Sequence, residues 1–308
     1  MQTKTVVQGT ILDDHLETWL EAFLLDRKTQ NMTKGTLYFY QKKAALLVSF
    51  CEGQAITRIT QIDAGAVRAF LGWLADTGHN AGGQHACYRV LRAFLRWWVL
   101  ETEPENWTNP LKRVKPPRLG QEPLDPVSLE IVKAMLETCG KDFHGERDRA
   151  LLLCLLDTGA RAAEVCALNV DDLNQVTGEM LIKQGKGRKP RTVFLGQKSR
   201  RALRAYLRKR ADHAPALWVT LEGERLTYWG LRQMVRRRAG AAGVEEPQLH
   251  AFRRAFALNA LRAGMDIYSL QLLMGHADLQ ILRRYLKQNA GDLARAHSAA
   301  GVVDGLLS

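Results

Sequence analysis

The chain has 308 residues, with 44 Lys+Arg against 32 Asp+Glu and a formal net charge of +12. A hydrophobic fraction of 46% and a charged fraction of 25% supply a sizeable core and exclude wholesale disorder, and the length suggests about two domains. No apolar run approaches the roughly 20 residues that cross a bilayer, and the opening MQTKTVVQGT lacks the build of a secretory signal, so the expectation is a cytoplasmic protein with no membrane partner. Cys51, Cys87, Cys139, Cys154 and Cys166 are odd in number, widely spaced and without a CxxC pair. They read as reduced, mostly buried thiols rather than a disulfide framework or a zinc site.

The first hundred residues read as helices. Leu12 to Leu25 is one candidate; Thr33 to Phe50 places Leu37, Tyr40, Ala44 and Leu47 at steps of three and four. Ala66 to Asp76 repeats the pattern and stops at Gly78, and Gln84 to Leu100 carries Cys87, Val90, Leu91, Phe94, Leu95 and Trp98. This predicts a bundle of about four helices over residues 1–103. Residues 104–125 then hold Pro104, Pro110, Pro116, Pro117 and Pro123, with Pro126 just beyond. Proline cannot continue a helix and stiffens an extended chain, so this segment reads as a linker. Its Lys112, Arg113, Lys115 and Arg118 either follow a phosphate backbone or are simply solvated.

Residues 126–308 read as a second, mixed domain. Helices are expected over Pro126 to Cys139, Arg147 to Leu156 (apolar nearly all round, hence central), Ser199 to Ala211, Leu231 to Ala239, His250 to Ala263, Ile267 to Met274 and Leu279 to Lys287. Residues 180–184 and 192–195 are short strand candidates about the glycine-containing turn GKGRKPR. The expected fold is therefore mainly α with a small β-sheet.

Charge is distributed unevenly. Residues 1–103 carry 11 basic and 10 acidic side chains, and residues 104–308 carry 33 and 22. Such asymmetry points to a polyanionic partner, nucleic acid first. The segment Lys198 to Arg210 has seven basic residues, among them Lys198, Arg200, Arg201, Arg204 and Arg208; Arg232 with Arg236 to Arg238 adds four. Contacts from these to phosphate would hold DNA without reading its sequence.

Single residues suggest the chemistry. Arg161 follows Gly159 in TGARAAE, at the start of a new helix, where a guanidinium fork fits two phosphate oxygens; Glu164, at i+3, orients it or a neighbouring base. Lys186 stands between glycines at a hairpin tip, placed to act as a point charge or a proton donor to a leaving oxygen. His250 and Arg253, three apart in LHAFRRAFA, share one helix face, with Phe252, Phe256 and Leu258 offered to the core. His276 precedes Tyr285 by nine residues. A tyrosine nucleophile needs cations and a base, which the upstream residues supply. Each signal alone also has a plainer reading, as a surface ion pair, a solvated turn, a structural His–Arg pair or a packed tyrosine.

The order Arg161, Lys186, His250, Arg253, His276, Tyr285 resembles the tyrosine recombinase (phage integrase, Xer-type) family through TGARAAEVCAL, GKGRKPR, LHAFRRAFALNAL and LLMGHADLQILRRYLK. The resemblance implies an N-terminal helical core-DNA-binding (SAM-like) domain and a C-terminal mixed α/β catalytic domain that clamp double-stranded DNA. It implies that Tyr285 attacks a scissile phosphate, forms a 3′-phosphotyrosine and releases a 5′-hydroxyl, with no ATP, metal or other cofactor. It gives Arg161 and Arg253 the non-bridging oxygens, Lys186 the proton for the leaving oxygen, His250 a part in proton transfer with Glu164 in support, and His276 a bond to the phosphate. It further implies a homo-oligomer, a tetramer on paired sites, with a partner recombinase or accessory protein possible, and a nucleoid-associated place in a bacterial cytoplasm. The chain departs from many relatives at Ile281-Leu282, where small hydroxyl residues are common, and at Arg254, where a second His is common. Two other readings compete with recombination: a type IB topoisomerase-like relaxing enzyme, and a non-catalytic DNA-binding accessory factor.

Overall fold

In a computed structural model of the chain, the residues described are 14–119, 125–183 and 190–275. The chain divides into two units, Met1–Glu122 and Pro123–Ser308. Among the described residues no helix is long and apolar enough to cross a membrane.

Unit 1 holds α1 (Leu16–Thr29), α2 (Lys34–Gly53), α3 (Ala64–Asp76) and α4 (Ala81–Thr102). Three of these start where a short polar side chain accepts an otherwise orphaned amide: Thr33 from Thr36 N at 3.1 Å, Asp63 from Ala66 N at 2.7 Å, and Asn80 from Gly83 N at 2.8 Å. Gly78, with φ of 85°, ends the α3 turn as its position suggests. The apolar faces close over Leu20, Phe23, Leu47, Phe50, Phe70, Leu74, Leu91, Phe94 and Trp98. Phe23 meets Phe94 edge-on, with centroids 5.6 Å apart.

The proline-rich segment is packed along this bundle as far as Pro117. Val114 is buried in the bundle core. The Tyr88 hydroxyl donates to the Val114 carbonyl at 2.8 Å, Arg68 donates to the Arg113 carbonyl at 3.3 Å, and His85 Nδ1 lies 3.1 Å from the Pro117 carbonyl. An extended proline-containing strand has backbone carbonyls to spare, and the bundle's side chains satisfy them.

Unit 2 runs α5 (Leu129–Glu137), α6 (Phe143–Thr158), α7 (Ala162–Ala167), β1 (Glu179–Ile182), β2 (Arg191–Phe194), α8 (Gln197–Leu207), α9 (Tyr228–Ala242), α10 (Leu249–Arg262) and α11 (Ile267–Met274). The strands pair antiparallel, with Glu179 opposite Phe194 and Ile182 opposite Arg191. The expected Leu279 to Lys287 helix lies outside the described residues. Helix α6 is central, packing on α8 and α10, with Leu151, Leu152, Cys154 and Leu155 all buried. It begins earlier than its apolar run, because Asp142 caps it by accepting from Gly145 N at 2.8 Å. That early turn brings Asp148 into the core, where Arg147, Arg237 and Arg238 surround it at 2.8–3.0 Å. Arg238 thus points inward, as a counter-ion to a buried carboxylate, and not to an external anion. All five cysteines are buried; burial pushes the Cys51 and Cys154 thiols up to about 12, so they are inert.

Candidate active site

The site is built where α6 ends. Gly159 takes φ of 58°, and a Cβ there would lie 2.2 Å from the Phe256 ring, so only glycine permits both the turn and the close packing of α10. Two residues on, Arg161 is the N-cap of α7. Its backbone amide donates to Glu164 Oε2 at 2.8 Å, and its Nη1 donates to Oε1 at 2.9 Å. Glu164 therefore caps its own helix and fixes the neighbouring guanidinium.

Arg253 on α10 is 1% exposed. Its Nη1 donates to the Gly159 carbonyl and its Nη2 to the Met274 carbonyl, both at 2.6 Å. Those two bonds set the plane of the guanidinium and join the ends of α6 and α11. On the same helix Phe252 is fully buried, whereas Phe256 packs at the edge of a small cluster around Ala257, Leu270 and Met274, and Leu258 is only half-buried. The core-facing side of α10 is thus made by Ala251, Phe252 and Ala255, and the expected place of Leu258 in the core is corrected.

His250 sits at the exposed start of α10. Partial loss of its water shell, and then the charges of Arg253, Arg254 and Arg161, hold its imidazole below the ordinary histidine value of 6.5. The shift favours the neutral imidazole, the form able to take a proton. A cavity of about 390 Å³ beside it is lined by Tyr228, Arg232, Glu246 and Gln248. Arg254 donates from Nε to the Asp125 carbonyl at 2.9 Å and anchors the start of unit 2 to α10.

In the sequence, Arg191 shows only as the last residue of the GKGRKPR turn. The structure places it at the centre: its Nη2 donates to Glu164 Oε2 at 2.6 Å, Nη1 to Oε1 at 3.2 Å, and Nε to the Leu273 carbonyl at 2.8 Å. Burial alone would raise the Glu164 carboxyl; the bonds from Arg191 and Arg161 outweigh it and bring the group from 4.5 to about 2. A legible signal existed. Strand alternation puts Arg191 on the same side as buried Val193 and Leu195, an arginine at a core-facing position.

The structure therefore gathers Arg161, Glu164, His250 and Arg253. Lys186, His276 and Tyr285 lie outside the described residues. Among the described residues no group of three or more His, Cys, Asp or Glu could hold a metal ion.

The basic residues expected to hold DNA fall into three groups. Lys112, Arg113, Lys115 and Arg118 are all exposed on the segment packed along unit 1. On α8, Lys198, Arg201, Arg204 and Arg208 are exposed, while Arg200 folds back to the Val176 carbonyl at 2.5 Å. On α9, Arg232 and Arg236 are exposed, 3.8 and 3.9 Å from Glu246. A fourth group emerges only in the fold. His85, Arg89, Arg92 and Arg96 recur at steps of four, three and four along one face of α4, with the three arginines exposed and unpaired among the described residues. The near-neutral total of residues 1–103 hid this stripe.

Residues 127–291 match the model of the phage integrase family. The chain is 29% identical over 307 residues to tyrosine recombinase XerA of Pyrococcus furiosus, covering 97% of this chain and 98% of that one. It is 31% identical over 246 residues to tyrosine recombinase XerC of Myxococcus xanthus, covering 76% and 81%. A solved structure of the Tn1549 transposon integrase in complex with a circular intermediate DNA shares the fold, with a TM-score of 0.76 over 93% of this chain and 99% of that one at 15% identity. The family match and these relatives define an enzyme of the tyrosine recombinase class, which cleaves and rejoins DNA. The chain belongs to the phage integrase family, and its reaction is site-specific recombination.

Proposed function

We propose that this chain recombines double-stranded DNA through a covalent 3′-phosphotyrosine formed by Tyr285. The observation that carries this reading is the convergence of Arg161 and Arg253, from separate elements, on the same corner of unit 2, beside His250. The Tyr285 oxygen attacks phosphorus, the bond to the 5′-oxygen breaks, and the phosphodiester energy is kept in the new P–O bond. Arg161 and Arg253 neutralise the charge that grows on the non-bridging oxygens. Lys186 protonates the departing 5′-oxygen, His250 assists proton transfer with Glu164 in support, and His276 bonds the phosphate. A second 5′-hydroxyl reverses the step. The basic groups on the 104–125 segment, α8 and α9, and the stripe on α4, contact phosphates. Strand exchange between two sites calls for four tyrosines, hence a homotetramer on paired DNA, with a partner recombinase or accessory protein able to join it. A DNA substrate places the enzyme in the cytoplasm, at the nucleoid.

Tyr285→Phe tests this directly. The variant should bind a nicked duplex as wild type does yet leave no protein–DNA adduct on a denaturing gel. An undiminished adduct would assign the nucleophile elsewhere.

A further inference from the structure

We propose that Arg191 is a positioning residue for strand cleavage: its guanidinium ties Glu164, and with it Arg161, to the end of α11 from which the chain enters His276. Arg191 stands on β2, five residues after Lys186 in the sequence. Its side chain is 12% exposed and that of Glu164 15%. One planar group meets both carboxylate oxygens and the Leu273 carbonyl. Leu273 is in the last turn of α11, where carbonyls lack helical partners and the helix dipole favours a cation. Arg253 takes the next carbonyl, that of Met274. The turn that follows is shaped around Arg191: Gly275 has φ of 61°, and a Cβ there would lie 3.0–3.1 Å from Arg191 Cδ, Nε and Nη1.

Three segments thus share one guanidinium: the strand that follows Lys186 in sequence, the helix start that carries Arg161 and Glu164, and the helix end that precedes His276 in sequence. Glu164 would still pair with Arg161 if Arg191 were removed, but the pair would lose its direct tie to the Leu273 carbonyl, leaving the Arg253 bonds to Gly159 and Met274 to hold that corner to α11. A lysine keeps the charge and loses the fork, so it cannot bridge two oxygens and a carbonyl at once.

The inference rests on the strand-cleavage reading, and the experiment separates the two. The probe is a nicked duplex recovered from a random-sequence pool by becoming covalently attached to the wild-type chain. If the wild type captures nothing, the cleavage reading falls and this inference with it. With the recovered duplex, R191A and R191K should bind with unchanged affinity and melt as folded proteins. Both should form adduct about 100-fold more slowly, the order expected when reacting groups lose alignment. The scissile phosphate is then replaced by a methylphosphonate, which carries no charge and so needs its guanidinium clamp less. The deficit of both variants should shrink to less than about tenfold, because what they lack is an aligned Arg161. Should R191A not fold, R191K carries the test. Wild-type rates in R191K, or an equal deficit on both substrates, would overturn the assignment.

Discussion

Glu164 is the residue on which the local electrostatics turn. It is largely buried, yet it stays ionised because two arginines and a backbone amide bond its oxygens. Its carboxyl titrates at 4.5 when unfolded and at about 2 in the fold, so its stabilisation is fully present above about pH 4.5 and is lost as pH falls toward 2. The shift corresponds to about 3 kcal/mol. Glu164→Ala should therefore cost about 3 kcal/mol in urea unfolding at pH 7, since it strands the buried Arg191 without its counter-ion. The loss should narrow as the pH of the measurement is lowered below 4.5. A cost that does not vary with pH would mean that the carboxylate charge contributes nothing.

At the scale of elements, the junction of α6, α10 and α11 decides whether the arginines converge. Gly159 makes that junction possible twice over, through its left-handed backbone and through the contact with Phe256. Gly159→Ala should destabilise the protein by about 3 kcal/mol, combining left-handed strain with overpacking. Because the Gly159 carbonyl accepts from Arg253, adduct formation should fall as well, even at temperatures where the variant is folded. A variant that melts like wild type would show that α10 can withdraw without cost. The buried Asp148 cluster is a second junction of this sort. It turns Arg238 of α9 inward toward α6, while Arg237 reaches Asp148 from an exposed position beside the outward Arg232 and Arg236.

For the whole molecule, the +12 charge matters through its placement. The α4 stripe gives unit 1, whose first 103 residues are nearly neutral in sum, a basic surface along one helix. Replacing Arg89, Arg92 and Arg96 together by alanine should leave folding stability within about 0.5 kcal/mol, since these are exposed surface positions. The slope of log K against log salt for DNA should become shallower by about 3, near one unit for each phosphate that is no longer neutralised. An unchanged slope would place the DNA-binding face of unit 1 elsewhere. The same measurement on α8, with Arg201, Arg204 and Arg208 replaced, ranks the two surfaces.

Much of this was legible in the chain alone. The helices of both units show in the three- and four-residue apolar steps, and the hairpin in two short β-prone runs about a glycine turn, because each of these is a local pattern. Arg161, His250 and Arg253 were identifiable because their neighbours (a helix-ending glycine, a helix face) are adjacent in sequence. Arg191 was not, although its strand position marked it as inward. Its partners Glu164 and Leu273 are far away in sequence, and only packing brings a carboxylate and a helix end to the same guanidinium. Arg238 and Asp148 repeat the lesson, since a charge that looks outward in a helical pattern turns inward when a buried counter-ion waits. Local periodicity determined the elements, and the order of the motifs, through the family it resembles, the reaction class; which cations stay exposed and which serve the core was decided by tertiary structure, because a buried charge is tolerated only where distant chain segments supply its partner.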